Sequence, residues 1–417
     1  MARLARLPDN RVRKLIRRRA ATDVASAMCK QLSFCLFVRR LLLSGLMAAK
    51  SKRQHTTTDP RSDAGEEPLL RSSDPEAREL LDLAIRVKQL KPWQWMEETD
   101  LIGIENPETR EIGFISVMGS VGEYEAVALY LGAEGLHGFI DFEDDEYATV
   151  DRVIEHPHLQ AAFSERKYLE KWDRDLIKQL GMKFTGAGPW PMFRSYRPGY
   201  LPWFITLPEA RFLIYALSQT LHVATSVRDE AQPFHPTGRV EKGGYLMRVS
   251  RRAESELIWQ DQVWQIPRPK VAPIPTIVDS VVLEQLKPIP QREIELEVDL
   301  FLAPGKIGKP GERPLSPYVL MVADSDSGFI LGGDVMTAES SLAAMRASIP
   351  NSLAKMLLQN RAVPRRLIVR SEWLRNLLKT LTQSLNIELR FSNELPRIDE
   401  AADSMSEWMR TGRLWIE

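Results

Sequence analysis

The sequence predicts a mixed α/β protein of two domains: an α+β domain followed by an α/β domain. Three observations predict it. The 417-residue length suits two or three domains at roughly 100–200 residues each. Six prolines between residues 266 and 291 divide the chain by composition. Beyond them the periodicities run strand, strand, strand, helix, strand, helix, strand, helix. The expected layout is a basic N-terminal segment at 1–73, an α+β domain at 74–265, a Pro-rich linker at 266–291 and an α/β domain at 292–417.

Net charge is zero, yet the charges are unevenly placed. Residues 1–53 carry 14 of the 56 basic side chains and two of the 56 acids, Asp9 and Asp23. The remainder holds 42 basic and 54 acidic groups, a net of −12. An acidic body repels phosphate, so a protein or small-molecule partner is expected ahead of nucleic acid. Cys29 and Cys35 are the only cysteines, which leaves the body without thiolate ligands or disulfides and fits a reducing, cytoplasmic setting.

In the first 46 residues, Arg11 to Arg19 form a basic run, and the apolar stretch Ser33–Ala49 is broken by Arg39 and Arg40. Two central arginines argue against a spanning helix and against a signal peptide. The favoured reading places the translation start at Met47, with a disordered basic tail or a membrane-surface helix as alternatives. Residues 50–73 are polar and are expected to be a disordered lead-in.

The first domain begins with a helix at Asp74-Pro75-Glu76, where Asp caps and Pro fits the first turn, and it ends before Pro92. Strands are expected at Leu101–Glu105 and Glu111–Met118 around the turn Asn106–Arg110. Gly119-Ser-Val-Gly122 reads as a turn: it lacks the third glycine of a dinucleotide site, and Glu123 and Glu125 would repel an anion. A helix is expected from about Glu123 to Leu131. His156-Pro-His158 is a poor metal site, with Glu155 as its one acidic neighbour.

The segment Gly188–Phe204 interleaves Trp190, Phe193, Tyr196, Tyr200, Trp203 and Phe204 with four prolines and with Arg194 and Arg197. The prolines predict an ordered irregular path instead of a helix or central strand. Arg194, Tyr196, Arg197, Tyr200 and Trp203 are the candidate ligand-binding residues, as a groove for a base or peptide. The competing reading is a covering loop with buried aromatics. Thr206-x-x-Glu209 is a capping box opening a helix whose stripe is Ala210, Leu213, Ile214, Leu217 and Leu221. His222, at its end, reads as a packing or surface residue. Strands at Gly244–Arg251 and Leu257–Trp264 close the domain.

The linker is expected to enclose a short helix at Val278–Leu286. In the second domain, Ile294, Leu296, Val298, Leu300 and Leu302 alternate with Glu293, Glu295, Glu297, Asp299 and Phe301, as in a strand with one solvated face. Tyr318–Ala323 and Phe329–Val335 flank the tight turn Asp324–Gly328. A helical region at Ala338–Asn360, interrupted near Pro350, is followed by a strand at Arg366–Val369 and a helix at Glu372–Leu385. A strand at Ile387–Phe391 and a helix at Ile398–Met409 complete the order.

That order, and the phrase Tyr318-Val-Leu-Met-Val-Ala-Asp-Ser-Asp-Ser-Gly-Phe-Ile-Leu-Gly332, resemble the ribonuclease-H-like core of nucleases and integrases. Over residues 75–265 and 290–410 the chain also resembles a group of uncharacterised bacterial proteins built from two domains of unknown function. The nuclease resemblance implies Mg²⁺ or Mn²⁺ held by carboxylates. Its first acid would match Asp299 and its last Asp399 or Glu400. Its second falls where Arg370-Ser371-Glu372 stands, so the expected aspartate is missing and Glu372 is a shifted, longer substitute beside an opposing arginine. Asp324 is a further candidate, although it also reads as a turn residue. No Gly-x-Ser-x-Gly elbow and no body cysteine offers a nucleophile. The expected function is therefore a non-catalytic binding or regulatory protein without cofactor or metal, the alternative being a divalent-metal-dependent phosphodiesterase.

Overall fold

The computed structural model describes residues 68–120, 122, 124–144, 150–184, 190–229, 244–254, 256–270, 274–276 and 278–411. The basic segment, its Met47 alternative and the polar lead-in up to residue 67 lie outside the described residues, as do Glu123 and residues 188–189.

The first half opens with helix α1 (Pro75–Leu90), whose Ala77, Leu80, Leu81, Ala84 and Val87 are buried at helical spacing. Strands β1 (Ile102–Glu105) and β2 (Ile112–Met118) form the expected hairpin. The helix expected up to Leu131 is instead strand β3 (Ala126–Leu131), hydrogen-bonded to β2 on one side. Its Ala-Val-Ala-Leu-Tyr run is buried on both faces. Such a run shows no alternation, so periodicity cannot distinguish it from a buried helical turn. The helix comes next, as α2 (Gly132–Asp144).

Strand β4 (His158–Ser164), helix α3 (Lys171–Gln179) and strand β5 (Trp190–Tyr196) follow. The aromatic-Pro segment is thus partly regular. Pro191 lies in a strand because β5 is the terminal strand of its sheet, where an N–H can be dispensed with. Helix α4 (Leu207–Asp229) begins with the reciprocal cap: Thr206 N donates to Glu209 Oε2 at 2.8 Å, and Glu209 N to Thr206 Oγ1 at 3.4 Å. Strands β6 (Tyr245–Ala253) and β7 (Glu256–Trp264) complete a seven-stranded sheet of order β5-β4-β3-β2-β1-β6-β7. It is antiparallel except for the β1–β6 pair. α1 and α4 cover one face, with Leu80, Leu213 and Leu217 in that core. α2 covers the other through Leu136, Phe139 and Ile140.

The second half starts with α5 (Ser280–Leu286), the helix expected within the linker, which buries Val282 and Leu286 in the second core. Then come β8 (Gln291–Leu302), β9 (Tyr318–Asp324), β10 (Ile330–Met336), α6 (Leu342–Gln359), β11 (Val363–Val369), α7 (Glu372–Ser384), β12 (Glu388–Phe391) and α8 (Pro396–Thr411). The sheet order is β10-β9-β8-β11-β12. The first three strands in sequence pair antiparallel, while β11 joins β8 and β12 in parallel. α6 does not break at Pro350, which is buried inside a continuous helix. Packing on the second core outweighs the lost hydrogen bond there. α5, α6 and α7 pack on one face; α8 covers part of the other through Ile398, with Leu395 just before it. Among the described residues, no helix is long and apolar enough to cross a membrane.

Candidate functional site

The acids of β8 do not form the solvated row that alternation predicts. Glu297 is 2% and Asp299 6% exposed, because α8 lies across them. Each acid in the row has a partner. Glu293 pairs with Arg365 at 3.0 Å, and Glu295 pairs with Arg366, which also reaches Glu388 at 2.7 Å. Glu297 Oε2 accepts the backbone N–H groups of Arg397 and Ile398 at 2.9 and 3.0 Å, so it caps the start of α8. Alternation shows which side chains share a face, but not whether a later helix covers that face.

Asp299 and Asp399 converge on one group, the guanidinium of Arg370 just past β11. Arg370 Nε lies 2.8 Å from Asp299 Oδ2, and Arg370 Nη2 donates to Asp399 Oδ1 at 2.6 Å. Burial pushes the Asp299 carboxyl up to about 6, against the opposing pull of Arg370. The guanidinium itself is held above its ordinary range: burial works against its charge, and the two aspartates more than offset that.

The other three candidates are engaged elsewhere. Asp324 Oδ1 accepts from Ser327 N at 2.8 Å and Ser327 Oγ at 2.7 Å, and these bonds hold its carboxyl below the usual range. It serves the turn. Glu372 pairs with Arg375 at 3.0 Å, and Glu400 faces Arg397 at 3.5 Å, both within one helical turn.

A divalent-metal pair does not fit these residues. Asp299 Oδ2 and Asp399 Oδ1 face a fixed cation instead, and a guanidinium at that spacing repels Mn²⁺. Among the described residues, no group of three His, Cys, Asp or Glu side chains is placed to hold a metal.

The candidate binding residues of the aromatic-Pro segment do not come together as an open groove. Arg194 is buried and makes a bidentate pair with Asp173 of α3 at 2.8 and 2.7 Å, with the Phe204 ring 5.0 Å from its guanidinium carbon. Burial works against the Arg194 charge, and Asp173 more than offsets it, holding the group above its ordinary range. Tyr196 is also buried; its hydroxyl reaches Gln160 Oε1 at 3.1 Å, and burial pushes the phenol up to about 12. Arg197, Tyr200 and Trp203 are half-buried, Arg197 beside Glu209 at 3.4 Å and Trp203 against Phe204. The proline-rich spacing concealed this because β5 is buried along most of its length: Tyr196 lies in the interior, and Arg194 finds its acid 21 residues away in sequence.

Past Tyr196 the segment meets the second half. Leu201 N donates to Pro314 O and Ser316 N to Gly199 O, both at 3.0 Å, and Arg313 Nη1 reaches Ser195 O at 3.2 Å. Tyr200 and Leu315 form an isolated bridge. Gly199 has φ 86°, and a Cβ there would lie 2.5 Å from Ala338 Cβ, so only glycine fits. Nearby, Glu155 pairs with Arg346 at 2.8 Å, and Arg346 lies 4.6 Å over Trp373.

One buried cluster had no sequence signal beyond the His pair. His158 stacks on Tyr196 at 3.9 Å, and its Nδ1 donates to His156 O at 2.8 Å. Tyr124 and Tyr196 both donate to Gln160 Oε1. Burial takes the imidazole down to about 3, so it stays neutral. It packs in a core.

No curated protein matches the chain. Residues 78–248 match a family model described as Domain of unknown function (DUF7309), and residues 282–406 match one described as Domain of unknown function (DUF6930). Two family models of unknown function therefore cover the two halves of the chain, one on each sheet.

Proposed function

We propose that this is a non-catalytic binding or regulatory protein whose second half is a ribonuclease-H-like scaffold with its acid site closed by arginine. In this reading the working units are residues 74–265 and 292–417, in the cytoplasm, joined by the Pro-rich stretch. Their partner is a protein or small molecule. The scaffold reading is supported by three antiparallel strands followed by two parallel strand additions, with helices between. The single observation that carries the loss of catalysis is Arg370, seated between Asp299 and Asp399. Two-metal phosphoryl chemistry needs those carboxylates free to share cations. Here they share a guanidinium that cannot be deprotonated.

The test is calorimetric titration of the full chain with Mn²⁺, repeated on Asp299→Asn. The expected result is no saturable heat that depends on Asp299. Saturable binding lost in Asp299→Asn would overturn the proposal and establish the metal-dependent phosphodiesterase reading in its place.

A further inference from the structure

A groove of about 710 Å³ runs between α1 and α4 on the first half. Ligand sites commonly fall between ~300 and 1,000 Å³. Its polar lining includes Arg86 and Gln89 from α1 and Ser218, His222, Thr225 and Arg228 from α4. No carboxylate lines it. That is unusual on a body that is net acidic outside residues 1–53.

The donors in this groove differ in how far they are committed. Arg86 is exposed, and no ion pair or hydrogen bond engages its side chain among the described residues. Arg228 uses Nε on Asp229 at 2.9 Å and lies 5.9 Å from the Trp95 ring, which fixes its direction while leaving the two terminal nitrogens outside that bond. The Thr225 hydroxyl donates to Leu221 O, so it offers a ligand only lone pairs. Leu90 and Leu221 supply the apolar lining. The neighbouring groove at the start of α1 is a useful contrast. It shares Arg86, but it also contains Asp74, Glu79 and Asp82, and its Arg78 is bound to Leu180 O at 2.7 Å. Carboxylates line that groove itself; in the α1–α4 groove the acid nearest in the chain, Asp229, holds Arg228 Nε and is not part of the lining.

We infer that the α1–α4 groove binds a phosphate group, Arg86 and Arg228 gripping its oxygens from opposite helices. Guanidinium forks match phosphate geometry, and a bidentate pair adds direction as well as strength. His222 and Gln89 supply further N–H donors, and the leucines offer a wall for an organic substituent. The site is independent of the proposed arginine-closed scaffold, since no residue of the second half lines it.

The experiment is calorimetric titration of the full chain with inorganic phosphate and, separately, with phenyl phosphate, at ionic strength held constant by chloride. Saturable one-to-one binding in the millimolar range or tighter is expected for at least one. Arg86→Gln should weaken it about tenfold or more, a loss of ~1.4 kcal/mol. Among the described residues no hydrogen bond or ion pair engages Arg86, and the exposed variant should melt close to the wild type; Arg86→Gln with Arg228→Gln together should abolish binding. Tighter binding of phenyl phosphate assigns the site to a phosphoester, and equal or weaker binding assigns it to free phosphate. The inference is overturned if neither probe gives saturable heat, or if Arg86→Gln binds as the wild type does.

Discussion

Lowering the pH should unfold the first half through His158. The ring is stacked on Tyr196 inside the core, and its folded pKa of about 3 lies below the ordinary value of 6.5. A group depressed on folding contributes stability above its unfolded pKa and loses it as pH falls toward the folded pKa. The window therefore runs from about pH 6.5 down to about pH 3. Each pH unit within it costs ~1.4 kcal/mol, so between pH 6.5 and 4.5 the loss is about 3 kcal/mol, and about 5 kcal/mol across the full window. That is a large fraction of an ordinary domain's ~5–15 kcal/mol. Carboxylates with ordinary values titrate mainly below this upper part of the window. The assay is urea unfolding of the full chain at half-unit steps from pH 7 to 4.5, for wild type and His158→Asn. Asparagine keeps an N–H donor toward His156 O and removes the titrating ring. It will lower stability at pH 7 through lost stacking, but the readout is slope against pH, which that offset does not affect. The wild type should lose about 1.4 kcal/mol per unit more steeply than the variant. Parallel slopes, or an imidazole NMR titration centred near 6.5, would refute the reasoning.

Asp299 should act with the opposite sign. Its carboxyl is raised to about 6 from 3.8, so its contribution is complete below pH 3.8 and is lost as pH rises through 6, by about 3 kcal/mol; Asp299→Asn should flatten that slope in the second half's unfolding transition. Arg194→Met leaves Asp173 charged and buried, and should cost ~3–5 kcal/mol in urea midpoint analysis. The double variant Asp173→Leu, Arg194→Met should recover most of that loss, because removing both charges avoids the desolvation penalty; equal losses in single and double variants would count against a charge origin. Gly199→Ala forces a Cβ into Ala338 at positive φ, which should cost about 1–3 kcal/mol. Hydrogen exchange should then speed up at Leu201 and Ser316, whose N–H groups cross between the halves, while the amides of β2 and β3 keep their protection.

Where the sequence had local chemistry to read, its elements were legible. The Thr206–Glu209 cap and the β1–β2 turn depend on residues within one turn of each other, as does the Pro75 start of α1, where Asp74 stands at the cap position although its carboxylate accepts from Arg71 N and not from the helix. β3 was misread because burial on both faces erases alternation. Pro350 was misread because packing from α5 and α7 lies far off in sequence. The site divides in the same way. That Arg370 opposes a cation was visible from its place after the fourth strand. That Asp299 is buried was not, because the helix that buries it lies about a hundred residues later. Arg194 and Tyr196 misled for a related reason. Arginine beside aromatics reads as a binding surface until the acid that neutralises it is located, and Asp173 belongs to another element.

The two arginines at these candidate sites belong to one physical pattern. Arg370 and Arg194 each take a buried acid that would otherwise be left costly, and each joins two elements: β8 to α8, and β5 to α3. Arg313 and Arg346 join elements of the two halves, Arg313 through the carbonyl of Ser195 and Arg346 through the Glu155 carboxylate. These four arginines thus attach one element to another. Arginines not used in that way are the ones to examine for ligands. Arg86, whose side chain no described residue engages, stands at the edge of a groove without acids, and it differs in this from Arg194, Arg313, Arg346 and Arg370.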